Sequence, residues 1–183
     1  RTFDVKRFPS VCVSNFQPIY RSICRLAGKG DKRIGILGGL PRLSSTKERI
    51  AAYREAVADC GLEQDEALIR FGTSMENGAQ EELDALLEQK CDAIVVAQGL
   101  MALETVTYLQ EKGLRLSRDI DLVSFVDFES SIANLYSNQM DSIIQPVEKL
   151  GEVSGEQILQ RIEAPDAPAF EQVLTSSYRP CGT

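Results

Sequence analysis

From about Lys32 onward, the sequence alternates between short apolar runs and longer segments whose apolar residues recur every three or four positions. This alternation is typical of βαβ units around a parallel sheet, because a parallel strand returns only through a long crossover that is usually a helix. The chain is therefore predicted to be α/β. Five short strands bounded by Gly, Asp, Pro or Asn are predicted at 33–37, 67–71, 93–97, 122–126 and 142–145.

Four helices are predicted between and after these strands. The string Ser45-Thr46-Lys47-Glu48 matches a capping box, which predicts the start of the first helix. Outside this series, 10–13 and 170–178 each predict one further strand. The stripes expected to face the core are Ile50, Tyr53, Val57 and Cys60; Ala79, Leu83, Leu86 and Leu87; Ala102, Val106 and Leu109; Val147, Leu150, Ser154, Ile158 and Ile162; and, before the first strand of the series, Ile19, Ile23 and Leu26.

The absence of histidine excludes much enzyme chemistry. Histidine is the usual general base near neutral pH and the commonest metal ligand, so triads, Cys-His dyads and His-based metal sites are ruled out. We find no paired nucleophile and base, and we predict neither an enzyme nor a bound metal or cofactor. The net charge of −7 also argues against DNA or RNA binding by these residues, since such proteins normally carry a basic excess.

The five cysteines suggest a reducing compartment. They are odd in number, widely spaced and contain no C-x-x-C pair, so we expect reduced and mostly buried thiols. No signal-peptide-like leader opens the sequence, and the longest apolar run, 93–97, is too short to cross a bilayer. These features predict a soluble, cytoplasmic protein with no membrane partner.

Several polar residues directly follow predicted parallel strands or begin the next helix. Arg49 lies in the first turns of its helix, Gln98 follows the strand at 93–97, and Asp127 with Glu129 follows the strand at 122–126. Because parallel strands all end at the same edge, these side chains are expected to line one crevice. Alternatively, Arg49 is a solvated surface residue paired with nearby Glu48 or Glu55. We interpret Glu129 as a loop or helix-start acid rather than as part of this crevice.

Three glycines, Gly35, Gly38 and Gly39, fall around a predicted strand-to-helix turn. Backbone amides at such a turn can receive an anion or a hydroxyl-rich ligand. The spacing is neither a dinucleotide fingerprint nor a P-loop, so a tight turn that requires glycine is the simpler interpretation.

Read in series, several strings resemble one known family. These strings are KRIGILGG, SSTKERIAAYREAVADCGL, DAIVVAQGLMALETVTYLQEKGL, DIDLVSFVDFESS and SIIQPVEKLGE. From about Gly30 to Tyr178 they are similar, in order and spacing, to the C-terminal half of the effector-binding region of lactose-repressor/galactose-repressor (LacI/GalR) transcription regulators. The resemblance implies a periplasmic-binding-protein-like fold of type I, with one complete parallel-sheet lobe bearing helices on both faces and a partial first lobe.

The resemblance also implies a division of the chain. Residues 1–31 would be a strand and helix remaining from the first lobe, 32–160 the complete second lobe, and 161–183 the crossover and returning strand of the first lobe. If most of the first lobe is absent, we expect under-covered apolar residues and hence a homodimer or swapped arrangement. Those residues are Val11, Val13, Ile19, Ile23 and Val173.

The resemblance also assigns effector-binding positions of the family to individual residues of this sequence. Arg49 matches the family arginine that binds effector hydroxyls or a carboxylate, Gln145 of the IIQP string also matches, and Thr73 falls at a wall of the pocket. Gln98 replaces the usual Asn. The remaining positions are Ser14 in place of an acid, Asn15, which is kept, Val126 in place of a sugar-binding Asp, and Asp127, the second acid of that pair.

The loss of the carboxylate at Val126 predicts an unusual effector. Charge-assisted hydrogen bonds to sugar hydroxyls contribute roughly 1.5 to 3 kcal/mol each, so we expect a less hydroxyl-dependent ligand or a weakened pocket. The implied function is the effector-sensing domain of a repressor, with a small, sugar-like or related ligand and with DNA contact only through an N-terminal helix-turn-helix absent from this sequence. A transport-type periplasmic sugar-binding protein of the same fold is the alternative.

Overall fold

The computed structural model describes residues 9–73, 78–126, 136 and 138–182. Leu68 ends a short 3-10 turn that leads into the third strand. The helices and strands are, in chain order, β1 (Ser10–Val13), α1 (Phe16–Lys29), β2 (Ile34–Gly38), α2 (Ser44–Asp59), β3 (Ile69–Phe71), α3 (Gln80–Glu88), β4 (Ala93–Val96), α4 (Gly99–Glu111), β5 (Asp121–Val126), β6 (Asp141–Ile144), α5 (Val147–Glu163), β7 (Glu171–Leu174) and β8 (Ser177–Arg179).

Two sheets organise the described part of the chain. The larger has six strands in the order β3-β2-β4-β5-β6-β8, and the smaller pairs β1 with β7. The first five strands of the larger sheet are parallel, and β8 pairs antiparallel with β6. The predicted α/β architecture with a parallel sheet is confirmed, and all five predicted strands of the series are present.

Side chains that alternate along the strands build a separate core on each face of the larger sheet. Ile34 and Ile36 of β2 face α1 and α2, whereas Leu37 faces α3 and α4. The same alternation separates Val95 from Val96 in β4. Because the side-chain period of a strand is two, strands buried on both sides read as continuous apolar runs, which is the pattern that made them recognisable in the sequence.

The predicted final strand at 170–178 is wrong, because two strands form there. β7 pairs with β1 in the smaller sheet, and after two further residues β8 joins the edge of the larger sheet. One alternating segment therefore connects the two sheets, which a period-two pattern cannot reveal.

Helix α1 packs differently from what the sequence suggested. Ile19, Ile23 and Leu26 are at most 1% exposed and share a core with β2 and α2, so Ile19 and Ile23 are not the under-covered residues that were expected. α1 thus lies on the larger sheet, while β1 lies in the smaller one. The division of the chain at residues 31 and 160 remains a prediction.

Two helix expectations are corrected. α2 begins at Ser44 after Leu43, and no side chain caps it, so the predicted capping box does not form. In α5 the expected inward stripe is largely outside the core, with Ile158 62% and Ile162 69% exposed. The physical reason is that α5 packs against β1 of the two-stranded sheet, which is too narrow to cover that face.

The cysteines are less buried than expected. All five are free thiols, and Cys91 alone among them is buried, while Cys12, Cys24, Cys60 and Cys181 are partly exposed. In the described ranges of the chain, no helix combines the length and the apolar character needed to cross a bilayer.

Asp141 holds the antiparallel edge strand in place. Its carboxylate is buried and accepts hydrogen bonds from Arg25 Nε (3.0 Å), the Tyr178 hydroxyl (2.5 Å) and the Cys181 backbone N–H (2.7 Å). Burial and the hydrogen bond to Asp141 raise the pKa of Tyr178, so the phenol stays protonated and donates. One carboxylate therefore ties β6 to α1 and β8.

We expect Asp141→Ala to lower the free energy of unfolding by about 2 to 4 kcal/mol, because it leaves several donors without their acceptor. Tyr178→Phe removes one of these bonds and should cost about 1 kcal/mol. The measurement is urea denaturation. The control, Glu152→Ala, breaks an exposed pair with Lys149 on α5 and should leave the midpoint unchanged. Equal midpoints for the Asp141 and Glu152 variants would contradict this role of Asp141.

Candidate functional site

The order of the strands creates a crevice between β2 and β4. The two strands are neighbours, yet α2 leaves β2 toward one face of the sheet and α4 leaves β4 toward the other. Where adjacent parallel strands send their helices to opposite faces, the backbone opens at the carboxyl edge, and open α/β sheets bind ligands there. The predicted residues Arg49 and Gln98 both lie at this edge.

Arg49 is fixed at this edge by contacts from three elements. Its Nη1 donates a hydrogen bond to the carbonyl of Ala97, directly before Gln98, and its Nε donates to Asn15 Oδ1 over 2.9 Å. The guanidinium carbon lies 3.8 Å from the centre of the Phe125 ring, a cation–π distance. Arg49 is therefore held by the loops after β1 and β4 and by the end of β5, and it is partly buried at this edge.

Asn15 connects the smaller sheet to α2. It lies between β1 and α1, where its amide nitrogen donates to Glu48 Oε2 (3.0 Å) and to the Val13 carbonyl (3.3 Å), while its oxygen accepts from Arg49. Donors and acceptor are all used, which fixes the orientation of the amide. Asn15 thus joins the end of β1 to the first turns of α2.

Gly39 allows the side chain of Gln98 to lie against the turn after β2. A Cβ at Gly39 would lie only 2.7 Å from Gln98 Oε1, and one at Gly35 would lie 2.9 Å from a methyl of Leu86. Neither glycine has a positive φ, and Gly35 lies within β2, so the expected tight turn that requires glycine for its backbone is not confirmed, and both glycines instead lie against the ends of neighbouring side chains.

A cleft of about 440 Å³ opens beside Asn15. Cys12 lies in the wall of this cleft. Burial raises the pKa of its thiol, and so does Glu171, whose carboxylate accepts the thiol hydrogen bond. The thiol therefore stays protonated at neutral pH and is a poor nucleophile. The other walls include Ser10, Val11, Val13, Ser14, Phe16, Ser44, Ser45, Glu48 and Val173.

The remaining predicted residues spread along the edge or leave it. Thr73 follows β3 and Gln145 follows β6, and because three strands lie between β3 and β6, about four strand spacings of 4.8 Å separate them, or roughly 19 Å. Val126 is 4% exposed and packs in the core shared with α3 and α4. Asp127, like Glu129, lies outside the described residues.

The sequence did not identify Phe125 or the Ala97 carbonyl as part of this cluster. The alternation of β5 could have shown that Phe125 faces the same side as α2, but not that a cation stacks on its ring. The carbonyl carries no side-chain signal at all, because every residue supplies one.

A family model for the periplasmic-binding-protein-like domain matches residues 23–180, most of the chain. The HTH-type transcriptional regulator CelR of Thermobifida fusca is 30% identical over 152 residues, which cover 82% of this chain and 44% of that protein. The HTH-type transcriptional repressor PurR of Vibrio atlanticus is 28% identical over 143 residues, which cover 77% of this chain and 42% of that repressor. The chain spans less than half the length of these relatives.

A solved complex of the transcriptional regulator CelR with cellobiose agrees in fold, with a TM-score of 0.85 and 26% identity over 94% of this chain and 53% of that one. These relatives are named as regulators and not as enzymes, in agreement with the expectation from the missing histidine. The chain therefore belongs to the periplasmic-binding-protein-like domain family, as an effector-binding domain of the LacI/GalR type.

Proposed function

We propose that this chain senses a small, sugar-like or related effector for a LacI/GalR-type transcriptional repressor. The observation that carries the proposal is the position of Arg49, which is held at the carboxyl edge beside β2 and β4 by Asn15 and the Ala97 carbonyl. Of the two functions considered, the named relatives favour a regulator over a transport protein. DNA contact belongs to a helix-turn-helix outside this acidic sequence, and the protein acts in the cytoplasm.

Arg49 is suited to recognise hydroxyl groups or a carboxylate. A guanidinium presents planar, fork-like donors, and a guanidinium already positioned by its neighbours loses little further side-chain entropy when a ligand binds. Gln98 beside Gly39 supplies an amide at the same edge. Ser14 and Asn15 supply polar groups from the β1 side of the cleft. Thr73, Gln145 and Asp127 complete the proposed effector-binding set, whereas Val126, which the sequence placed with them, packs in the core and offers no polar group.

The contact between Arg49 and Asn15 links effector binding to the relative position of the two sheets. Asn15 lies two residues after the end of β1, which belongs to the smaller sheet, while Arg49 belongs to a helix that packs on the larger sheet. A ligand that contacts Arg49 preferentially in one arrangement of the two sheets shifts the population toward that arrangement. Such a difference in ligand contact between two arrangements is what an allosteric repressor requires.

Val126 leads to a specific expectation for monosaccharides. The family resemblance places Val126 where many members carry a sugar-binding Asp, and its side chain packs in the core, so we expect no tight binding of glucose or galactose. Titration calorimetry on the full-length protein measures this. Tight binding of either hexose would overturn the expectation.

A panel of disaccharides and sugar phosphates, with cellobiose as its first member, tests the proposed function itself. We expect at least one member to bind the full-length protein in calorimetry. We expect Arg49→Lys to weaken that binding by at least about tenfold, because lysine cannot reproduce the fork of donors. If no member of the panel binds, a sugar-like effector is refuted.

Arg54→Lys is the matched control for Arg49→Lys. Arg54 lies on the same helix, but its guanidinium is bonded to the exposed Glu66 away from the carboxyl edge. We expect this variant to bind as the unchanged protein does. Equal losses in both variants would assign the effect to the helix rather than to the Arg49 guanidinium.

We also propose that the protein forms a homodimer. Exposed apolar side chains on α5, β7 and the segment before it support this, since large apolar patches favour association. Sedimentation velocity over a range of concentrations is the test, and a clean monomer at high concentration contradicts the dimer. The side chains concerned are Ile158, Leu159, Ile162, Phe170 and Val173.

A further inference from the structure

Two cysteines meet where α1 packs against α2. Cys24 lies in the second half of α1, Cys60 directly follows α2, and their sulfur atoms are 3.2 Å apart. The two residues are 36 positions apart in the sequence, so their approach is created by the packing of the helices and not by local sequence. The nearby Tyr20 hydroxyl donates to Asp59 over 2.8 Å and also joins α1 to the end of α2.

The pair is accessible from solvent. Both cysteines are partly exposed, and Cys60 lines an open groove of about 490 Å³ together with Ala27, Gly61 and Leu62. By contrast, Cys91 is buried beneath α3. A small thiol or disulfide can therefore reach Cys60 without unfolding of the domain.

We propose that Cys24 and Cys60 form a reversible dithiol–disulfide pair that fastens α1 to α2. A thiolate of the pair attacks a low-molecular-weight disulfide and forms a mixed disulfide, which releases one small thiolate. The second protein sulfur, after losing its proton, attacks the mixed disulfide and releases the other small thiolate. Each protein thiol gives up one proton and one electron, and the small disulfide leaves as two thiols.

The cross-link constrains the unfolded chain more than the folded one. It closes a loop between two helices that already contact each other, so the loss of chain entropy falls mainly on the unfolded state.

The pKa of the Cys60 thiol is raised to about 11 by desolvation, by its hydrogen bond to Cys24 and by the nearby Cys24 and Asp59. Exchange is therefore slow at neutral pH, and the pair is best examined at equilibrium.

The test equilibrates the full chain with oxidised and reduced glutathione over a series of ratios and quenches it with acid. In the oxidised form, we expect tryptic peptides 22–25 and 55–70 to be joined with the loss of two hydrogens, and dithiothreitol to reverse the link. We expect the melting temperature of the oxidised form to rise by roughly 5 to 10 °C.

Cys24→Ser and Cys60→Ser should each abolish the link and the rise in melting temperature. Cys181→Ser is the matched control, because Cys181 is also partly exposed but contacts Ser117 instead of a second thiol, and it should behave as the unchanged chain. A link between any other two cysteines, or none in oxidised glutathione alone, overturns the pairing. A link that leaves the melting temperature unchanged overturns the fastening of the two helices.

Discussion

The side-by-side position of β2 and β4 is the constraint on which the candidate site depends. These strands are neighbours in the sheet but not in the sequence, since α2, β3 and α3 lie between them along the chain. Their following helices leave to opposite faces, so neither helix covers the gap at the carboxyl edge. Arg49 lies in α2, which follows β2, and Gln98 lies between β4 and α4, so both residues are found at this gap.

Within that gap, the polar contacts orient the side chains of Arg49 and Asn15. Asn15 accepts from Arg49 and donates to Glu48, and the Ala97 carbonyl and Phe125 ring hold the guanidinium from other sides. Such preorganisation lowers the entropy lost on binding. It also ties the cluster to the position of β1, because Asn15 lies two residues after the end of that strand and bonds to the Val13 carbonyl. The proposed effector contact and the junction between the two sheets therefore involve the same two residues, Arg49 and Asn15.

The fold was predictable where burial imposes a simple period. The runs around Ile36 and Val95 are apolar on both faces because helices cover both sides of the sheet, and that pattern is visible without coordinates. The prediction was wrong at the edges, where a segment changes sheets between β7 and β8, and on α5, where Ile158 and Ile162 remain exposed. A helical period records which residues could be buried, but not whether a partner is wide enough to bury them.

By itself, the sequence determined the alternation of strands and helices, the exclusion of histidine chemistry and the edge at which Arg49 and Gln98 lie, because these follow from local period, residue type and the common direction of parallel strands. Only the tertiary structure decided that Arg49 bonds to Asn15 and stacks on Phe125, that Asp141 ties β8 to α1, and that Cys24 meets Cys60. These pairs join residues far apart along the chain. Their distances depend on how helices and strands pack in three dimensions, and no local pattern encodes that packing.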